Sequence, residues 1–263
     1  MSGNFADLCL MMTKEPVIIG LFLIGFTFFD RRTFLHALCL LLFTMIYNHW
    51  LKSLWQIPLN PALGKQGWAF PSGHMHSSFV FMGFIAWHYR RLKMITIPVI
   101  LVLTGVGCSL IVKGYHNLTD VLGACAFGSL SVFITDRIEA HSWAKKRAWS
   151  IPLFFLFLSV CLLIALAIKS HLQGHLFLAS GALSGLFAGT LVRKPSGPLI
   201  RIKSKNKLIK KSINFVVTIS GMGTIFFLLP KFSAYMSPYV LAFFTYFLTG
   251  LWIILASKVF KPS

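Results

Sequence analysis

Two short polar segments stand out in an otherwise apolar chain. They are Pro71-Ser72-Gly73-His74 and His116-Asn117-Leu118-Thr119-Asp120, and each adjoins an apolar run that could cross a bilayer. Ionisable side chains at membrane depth are costly, so they mark functional sites by default. The two segments are therefore the first candidates for a site that does chemistry.

The first segment stands immediately before an apolar run. Ser72 can cap a helix there, and the free backbone N–H groups of such a helix start bind anions, above all phosphate. His74 adds a proton donor beside that anion, suited to protonating a leaving oxygen. Taken alone, the tetrapeptide fits equally an ordinary capped helix start with a surface histidine.

The second segment contains a histidine and a carboxylate four residues apart, His116 and Asp120. On one helix this spacing places both side chains on the same side. A carboxylate bonded to one ring nitrogen fixes the tautomer and leaves the other nitrogen as a nucleophile or base. Taken alone, the pair also fits a structural His–Asp contact where a helix begins.

The composition requires a membrane around these segments. Hydrophobic residues make up 56% of the 263 positions, more than a soluble core of this length can hide. The net charge of +19 does not indicate nucleic-acid binding, because the cations stand in short clusters between apolar runs. Only six acidic residues occur, and Asp120 is the one at a span end with no basic cluster beside it.

Apolar runs of about 17 to 25 residues mark membrane spans. The sequence predicts nine, of which the first and third are short. They lie near Pro16–Phe29, Thr33–Leu51, His76–Tyr89, Met94–Val112, Leu118–Thr135, Ile151–Ile168, Leu176–Val192, Ile213–Pro230 and Tyr235–Ser257.

The basic residues give an independent test of this count. Cytoplasmic loops are enriched in Lys and Arg, and alternate loops here divide the 25 cations into 19 and 6. This division predicts an N-terminus outside and a C-terminus in the cytoplasm, so both polar segments open on the outer face. The basic stretch from Arg193 to Lys211 is then a topology signal, or alternatively a patch for anionic lipid headgroups.

The polar segments belong to a recognisable set of motifs. The chain resembles the type 2 phosphatidic acid phosphatase superfamily of lipid phosphate phosphatases over roughly Leu51 to Gly128. The residues that carry the resemblance are Lys52, Pro71-Ser72-Gly73-His74, Ser109 through Gly114, His116 to Asp120 and Val121-Leu122-Gly123.

The resemblance implies a role for each of these side chains. His116 attacks phosphorus and forms a phosphohistidine, Asp120 orients His116, and His74 protonates the leaving group. Lys52, Ser72 and Gly73 hold the phosphate oxygens. No metal and no cofactor are implied.

Two arginines of the family pattern are missing here. Leu59 and Asn60 stand where the first motif has Arg-Pro, and Leu110 stands where the third motif has Arg. Charge-assisted bidentate contacts are the strong ones, so their loss weakens anion binding. Lys113 and Lys65 are the candidates for replacement charge, and a solvated loop lysine is the alternative for Lys65.

Other features receive simpler interpretations. His76 is expected to be a wet interfacial side chain, on a different helix face from His74. Gly181, Gly185 and Gly189 repeat at four-residue spacing, which predicts a close helix contact, internal or dimeric. The dispersed cysteines are expected to be small packing residues. No cleaved signal peptide is expected.

The expected fold is an all-α polytopic bundle of about nine transmembrane helices. Residues 1–150 form the catalytic core of the lipid phosphate phosphatase type, and residues 151–263 form further spans of unknown role. The bundle is expected in a bacterial inner membrane, with its active site on the extracytoplasmic face.

The expected function is metal-independent hydrolysis of a lipid phosphate. Candidate substrates are an isoprenoid diphosphate, a phosphatidate-type lipid and a glycolipid phosphate, and the other partners are membrane lipids, without nucleic acid. Three alternatives remain: transfer of the phosphoryl group to another lipid with the same residues, phospholipid binding without turnover, and lipid transport. Transport gains least, because no span interior carries an ionisable relay.

Overall fold

The computed structural model describes residues 2–64, 66–169, 171–192 and 207–259. Within these ranges the chain forms α-helices, two 3-10 turns and a single isolated β-bridge between Pro58 and Trp68. The helices are α1 (Ser2–Met11), α2 (Glu15–Phe28), α3 (Arg31–Trp55), α4 (Gly73–His88), α5 (Lys93–Val112), α6 (Leu118–Ala140), α7 (Ser142–Lys146), α8 (Ser150–Ile168), α9 (Gly174–Leu191), α10 (Lys207–Leu228) and α11 (Pro238–Val259).

Nine of these helices coincide with the nine predicted apolar runs, and the all-α membrane fold is confirmed. Seven helices of the described chain are long and apolar enough to span a bilayer by themselves. The bent pair α1 and α2, which meet at 54°, passes the same test together. Helix α4 has only 16 residues, so local thinning of the bilayer must help it cross.

The outward surfaces of these helices fit a lipid environment. Only 28% of the apolar stretch of α5, and only 11% of that of α10, is buried inside the protein. Apolar surface on this scale requires a covering phase, which for a polytopic chain is the hydrocarbon core.

The described chain divides into two compact units. One consists of Met1–Phe22 and Thr33–Ser142, and the other of Leu23–Arg32 and Trp143–Ser263. The division of function predicted at residue 150 stays a prediction.

In the first unit, α4 packs against both α5 and α6, and α1 packs against α5. The contact between α1 and α5 depends on Gly105, because any Cβ there would lie 2.8 Å from the sulfur of Cys9. At the end of α3 where that helix begins, Nδ1 of His36 contacts the carboxylate of Glu139 of α6. Lys52 lies in the last turn of α3, at the opposite end of the helix.

In the second unit, α9 and α11 form the closest helix pair of the described chain. A Cβ on Gly181 would overlap the carbonyl oxygen of Phe243, and one on Gly185 would overlap that of Phe247. Gly250 of α11 returns the contact, since its Cβ would lie 2.6 Å from the carbonyl oxygen of Ala182. The predicted glycine contact is therefore confirmed, and it is internal to this chain.

Candidate active site

The first polar segment begins α4 as the sequence predicts. Ser72 is the N-cap, and its hydroxyl oxygen accepts a hydrogen bond from the backbone N–H of Met75. Pro71 and Ser72 are buried, whereas His74 is exposed. The first turn therefore presents the N–H groups of Gly73 and His74, which have no partner within the helix, at the end of the bundle.

A tight turn before α6 places His116. Gly114 takes the left-handed conformation, with φ of 67°, that glycine adopts without a Cβ penalty. The N–H of Tyr115 donates to the carbonyl of Leu110 at 3.0 Å, and that of Gly114 donates to Ile111 at 2.9 Å. These bonds end α5 in a Schellman motif and turn the chain towards His116.

The His116–Asp120 pair forms, but by a different geometry from the predicted one. His116 lies outside α6, two residues before its first residue, so the two side chains do not share a helix face. Asp120, in the first turn, reaches back instead: its Oδ2 lies 3.2 Å from Nδ1 of His116 and accepts the N–H of Asn117 at 3.0 Å. The His116 side chain is only 8% exposed and that of Asp120 only 4%.

The backbone joins the two polar segments directly. The N–H of Ser72 donates to the carbonyl oxygen of Asp120 at 3.1 Å. His74 is also close enough for its charge to act on His116. The structure thus brings both segments to the same end of one unit.

Lys52 completes this cluster from α3. Its ammonium donates to the carbonyl oxygen of Trp68 and, at 3.4 Å, to that of Ala69. Its positive charge acts on both His116 and Asp120. A lysine has three N–H donors, so one is left for an anion.

Burial lowers the pKa of His116 below its ordinary value. The hydrogen bond and negative charge of Asp120 oppose this effect, while the positive charges of Lys52 and His74 reinforce it. The net direction is downward, so His116 is neutral at neutral pH and its second nitrogen, Nε2, carries a lone pair when Nδ1–H donates to Asp120. The assembly can hold an anion and present a neutral imidazole to it.

Lys113 and Lys65 are the two lysines predicted to replace the charge of the missing arginines, and the structure describes only the first. The ammonium of Lys113 forms an ion pair with the carboxylate of Asp7, on α1. Phosphate binding by Lys113 therefore requires exchange of this partner and stays a prediction. Lys65 lies outside the described residues.

Leu59 and Leu110, which stand where the family pattern has arginine, take part in backbone hydrogen bonds. The N–H of Leu59 donates to the carbonyl oxygen of Gly67 at 3.0 Å, within the loop between α3 and α4. The Leu110 side chain is 1% exposed, and its carbonyl oxygen also accepts the N–H of His116 at 3.2 Å. Leu110 thus helps to place His116 without adding charge.

The prediction for His76 is wrong. Its side chain is 0% exposed, because α4 packs it against α3, where Asn48 contacts its ring. Sequence reasoning also missed Asn48, which lies one helical turn before Lys52. A polar residue within a predicted span, four positions before a motif lysine, was the available signal.

Among the residues that the structure describes, no group of three or more His, Cys, Asp or Glu side chains is arranged to hold a metal ion.

Two models of known protein families match the chain. The PAP2 superfamily profile matches residues 33–144, and that of the PAP2 superfamily phosphatase, transmembrane extension, matches residues 177–258. Together they cover more than two thirds of the chain. No curated protein and no solved structure matches it. The first match contains every described residue of the candidate site, and the second contains the glycine contact of α9 and α11. The chain belongs to the PAP2 superfamily of membrane phosphatases.

Proposed function

We propose that this protein is an integral membrane phosphatase that hydrolyses a phosphate monoester or diphosphate on a lipid through a phosphohistidine intermediate. The observation that carries the proposal is the His116–Asp120 pair, joined by a backbone hydrogen bond to the Ser72 helix start. A neutral imidazole near a helix N-terminus, which is a kind of terminus that can bind an anion, supports phosphoryl transfer at this point.

The first step transfers the phosphoryl group to the protein. Nε2 of His116 forms a bond to phosphorus while the bond from phosphorus to the lipid oxygen breaks. His74, exposed and close to His116, gives its proton to that leaving oxygen. The N–H groups of the α4 start and the Lys52 ammonium bind the phosphate oxygens as charge builds on them.

The second step restores the protein. A water molecule attacks the phosphohistidine, the bond between phosphorus and Nε2 breaks, and His74 takes the proton that the water loses. Asp120 holds Nδ1 throughout and stabilises the ring while it is phosphorylated. Each step uses only side chains and backbone N–H groups of this cluster and one water molecule, so we propose that the reaction is metal-independent.

A lipid substrate follows from the position of the cluster at the ends of membrane helices. Its phosphate would lie at headgroup level while its chains remain in the bilayer. Isoprenoid diphosphates, phosphatidate-type lipids and glycolipid phosphates all have this form. On the distribution of basic residues we place the site on the extracytoplasmic face. A bacterial inner membrane is the location that we propose for the protein.

The test is phosphate release by purified protein from lipid mono- and diphosphates, with and without EDTA. His116→Ala should lower kcat by at least about 10³-fold, since it removes the nucleophile. The control is His141→Ala, at an exposed histidine beyond the other end of α6, which should keep full activity. Activity that survives His116→Ala, or that EDTA abolishes, contradicts the mechanism. Phosphate appearing on an added lipid alcohol indicates the phosphotransferase alternative.

One observation favours a second candidate function. Leu59 and Leu110 put no charge where the family pattern has arginine, so a phospholipid could bind here without turnover. In that case wild-type protein and His116→Ala would bind a lipid phosphate equally, and neither would form product.

A further inference from the structure

A buried polar contact lies directly behind the candidate phosphate site. Asn48 of α3 and His76 of α4 are 5% and 0% exposed. The side-chain nitrogen of Asn48 lies 3.3 Å from the carbonyl oxygen of Pro71 and 3.1 Å from Nδ1 of His76. Neither side chain has a part in the phosphoryl transfer described above.

Both side-chain N–H donors of Asn48 are used. Its amide nitrogen carries two hydrogens, and the two neighbours at bonding distance accept one each. A ring nitrogen that accepts is unprotonated, so His76 is neutral with its hydrogen on Nε2. That Nε2 atom has no hydrogen-bond partner in the described chain. The bonds of the pair therefore all point to Pro71 and to each other.

The oxygen of the same carboxamide lies against the residue that follows Ser72. A Cβ built on Gly73 would be 3.4 Å from Oδ1 of Asn48, an ordinary van der Waals distance. Asn48 thus bonds to the chain before Ser72, and its side chain stands beside the residue after Ser72. The same residue stands one turn from Lys52, whose ammonium we place on the phosphate.

We propose that Asn48 is a positioning residue. By donating hydrogen bonds to Pro71 and His76, it holds the anion-binding start of α4 where that start and the Lys52 ammonium can reach the same phosphate. The inference rests on the proposed function of this site. Lys52 and the N–H groups of the α4 start come from different helices, and a phosphate must meet both at once. Misplacement by about 1 Å can cost about 10²-fold in rate.

The variant Asn48→Asp tests the donor role at almost constant size. A carboxylate cannot donate, and it would face the Pro71 carbonyl oxygen with a second acceptor. We expect kcat/KM to fall by about 10- to 100-fold, with a raised KM, because the phosphate-binding groups no longer coincide. The matched control is Asn214→Asp in α10, where the asparagine is also buried, at 6% exposure, but lies in the other unit.

A second readout separates positioning from turnover. Inorganic phosphate should protect His74, which is exposed, from diethyl pyrocarbonate in the wild type and in Asn214→Asp, but less in Asn48→Asp. Mass spectrometry of the His74 peptide reports the protection. Where the acidic variant does not fold, Asn48→Ala removes the same two donors without a charge and decides the question.

The outcomes separate this inference from the proposed function. Wild-type kinetics and wild-type protection in Asn48→Asp overturn the positioning role, as does an equal loss in Asn214→Asp. If the wild type releases no phosphate from lipids, but inorganic phosphate still protects its His74 from diethyl pyrocarbonate, the proposed hydrolysis is refuted and the positioning role is not. The difference in protection between wild type and Asn48→Asp then decides the role of Asn48.

Discussion

Two opposing effects act on the pKa of His116, and their combination suits a nucleophile. Burial and the positive charges of Lys52 and His74 lower its pKa, and Asp120 works against them. A nucleophilic imidazole must be neutral, yet it benefits from a carboxylate that stabilises the positive ring formed on phosphorylation. The described geometry meets both needs, since Asp120 bonds Nδ1 while the lowered pKa preserves the lone pair.

The pH dependence of kcat/KM reports this balance. The reacting form of His116 is lost as the pH falls through its pKa, and that pKa lies below the ordinary value of about 6.5. We therefore expect activity to persist below pH 6.5 before it declines. Asp120→Asn removes the negative charge that raises the pKa and weakens the hydrogen bond to Nδ1, so the acid limb should move to still lower pH, while the rate falls because the ring is held less firmly.

The control for this experiment lies on the same helix. Asp136, near the far end of α6, has no contact with His116 in the described structure, and Asp136→Asn should leave the acid limb unchanged. An acid limb that moves to higher pH in Asp120→Asn contradicts the assignment of Asp120 as the partner that raises the His116 pKa.

Residue spacing alone predicted contacts between residues that are close in the chain, whereas the grouping of Lys52 with the two polar segments came from the family resemblance. The spacing of His116 and Asp120 and the capping residue Ser72 are local features, and their local contacts are confirmed. The Asn48–His76 contact joins residues 28 positions apart in the chain, and the Lys113–Asp7 ion pair joins residues 106 positions apart. No local pattern predicts which long-range partner a lone polar side chain selects.

At the scale of helices, hydropathy predicted the spans well because a membrane span must satisfy its own backbone and expose apolar side chains. Helix α1 was not predicted, since its ten residues are too few to span and it is held by packing on α5. The glycine repeat of α9, in contrast, predicted a tertiary contact from the sequence of one helix. Close approach of two backbones demands small residues, whatever the partner helix is.

The closeness of α9 and α11 predicts a sharp cost for one methyl group. Gly185→Ala would place its Cβ on the carbonyl oxygen of Phe247, and backbone on both sides leaves nothing flexible to move. Overpacking of this kind costs about 1–3 kcal/mol. The melting temperature of the purified protein in detergent or nanodiscs should fall accordingly.

The matched control is Gly223→Ala in α10, where a Cβ would meet no atom within 4 Å. Alanine is the better helix former by up to about 1 kcal/mol, so this variant should melt at the same temperature or slightly higher. Equal melting temperatures for the two variants would show that α9 and α11 are less closely packed than described.

For the whole molecule, the remaining question is which side of the membrane carries the site. In the first unit the loop from 56 to 72 and the turn from 113 to 117 lie at one end of the helices, whereas residues 89–92 connect α4 and α5 at the other end. The cations Arg90, Arg91 and Lys93 stand at that second end. The positive-inside rule therefore predicts that this second end is cytoplasmic and that the site opens on the outer face.

Labelling of single cysteines in intact cells tests this orientation. The five native cysteines are replaced by alanine, and activity is checked before labelling. Ala62→Cys, exposed in the 3-10 turn Pro61–Leu63 of the site loop, should react with a membrane-impermeant maleimide from outside. Arg91→Cys, equally exposed at the opposite end, should react only after permeabilisation. The reverse pattern would place His116 and its neighbours in the cytoplasm, where substrates of the inner leaflet would be the ones to reach them.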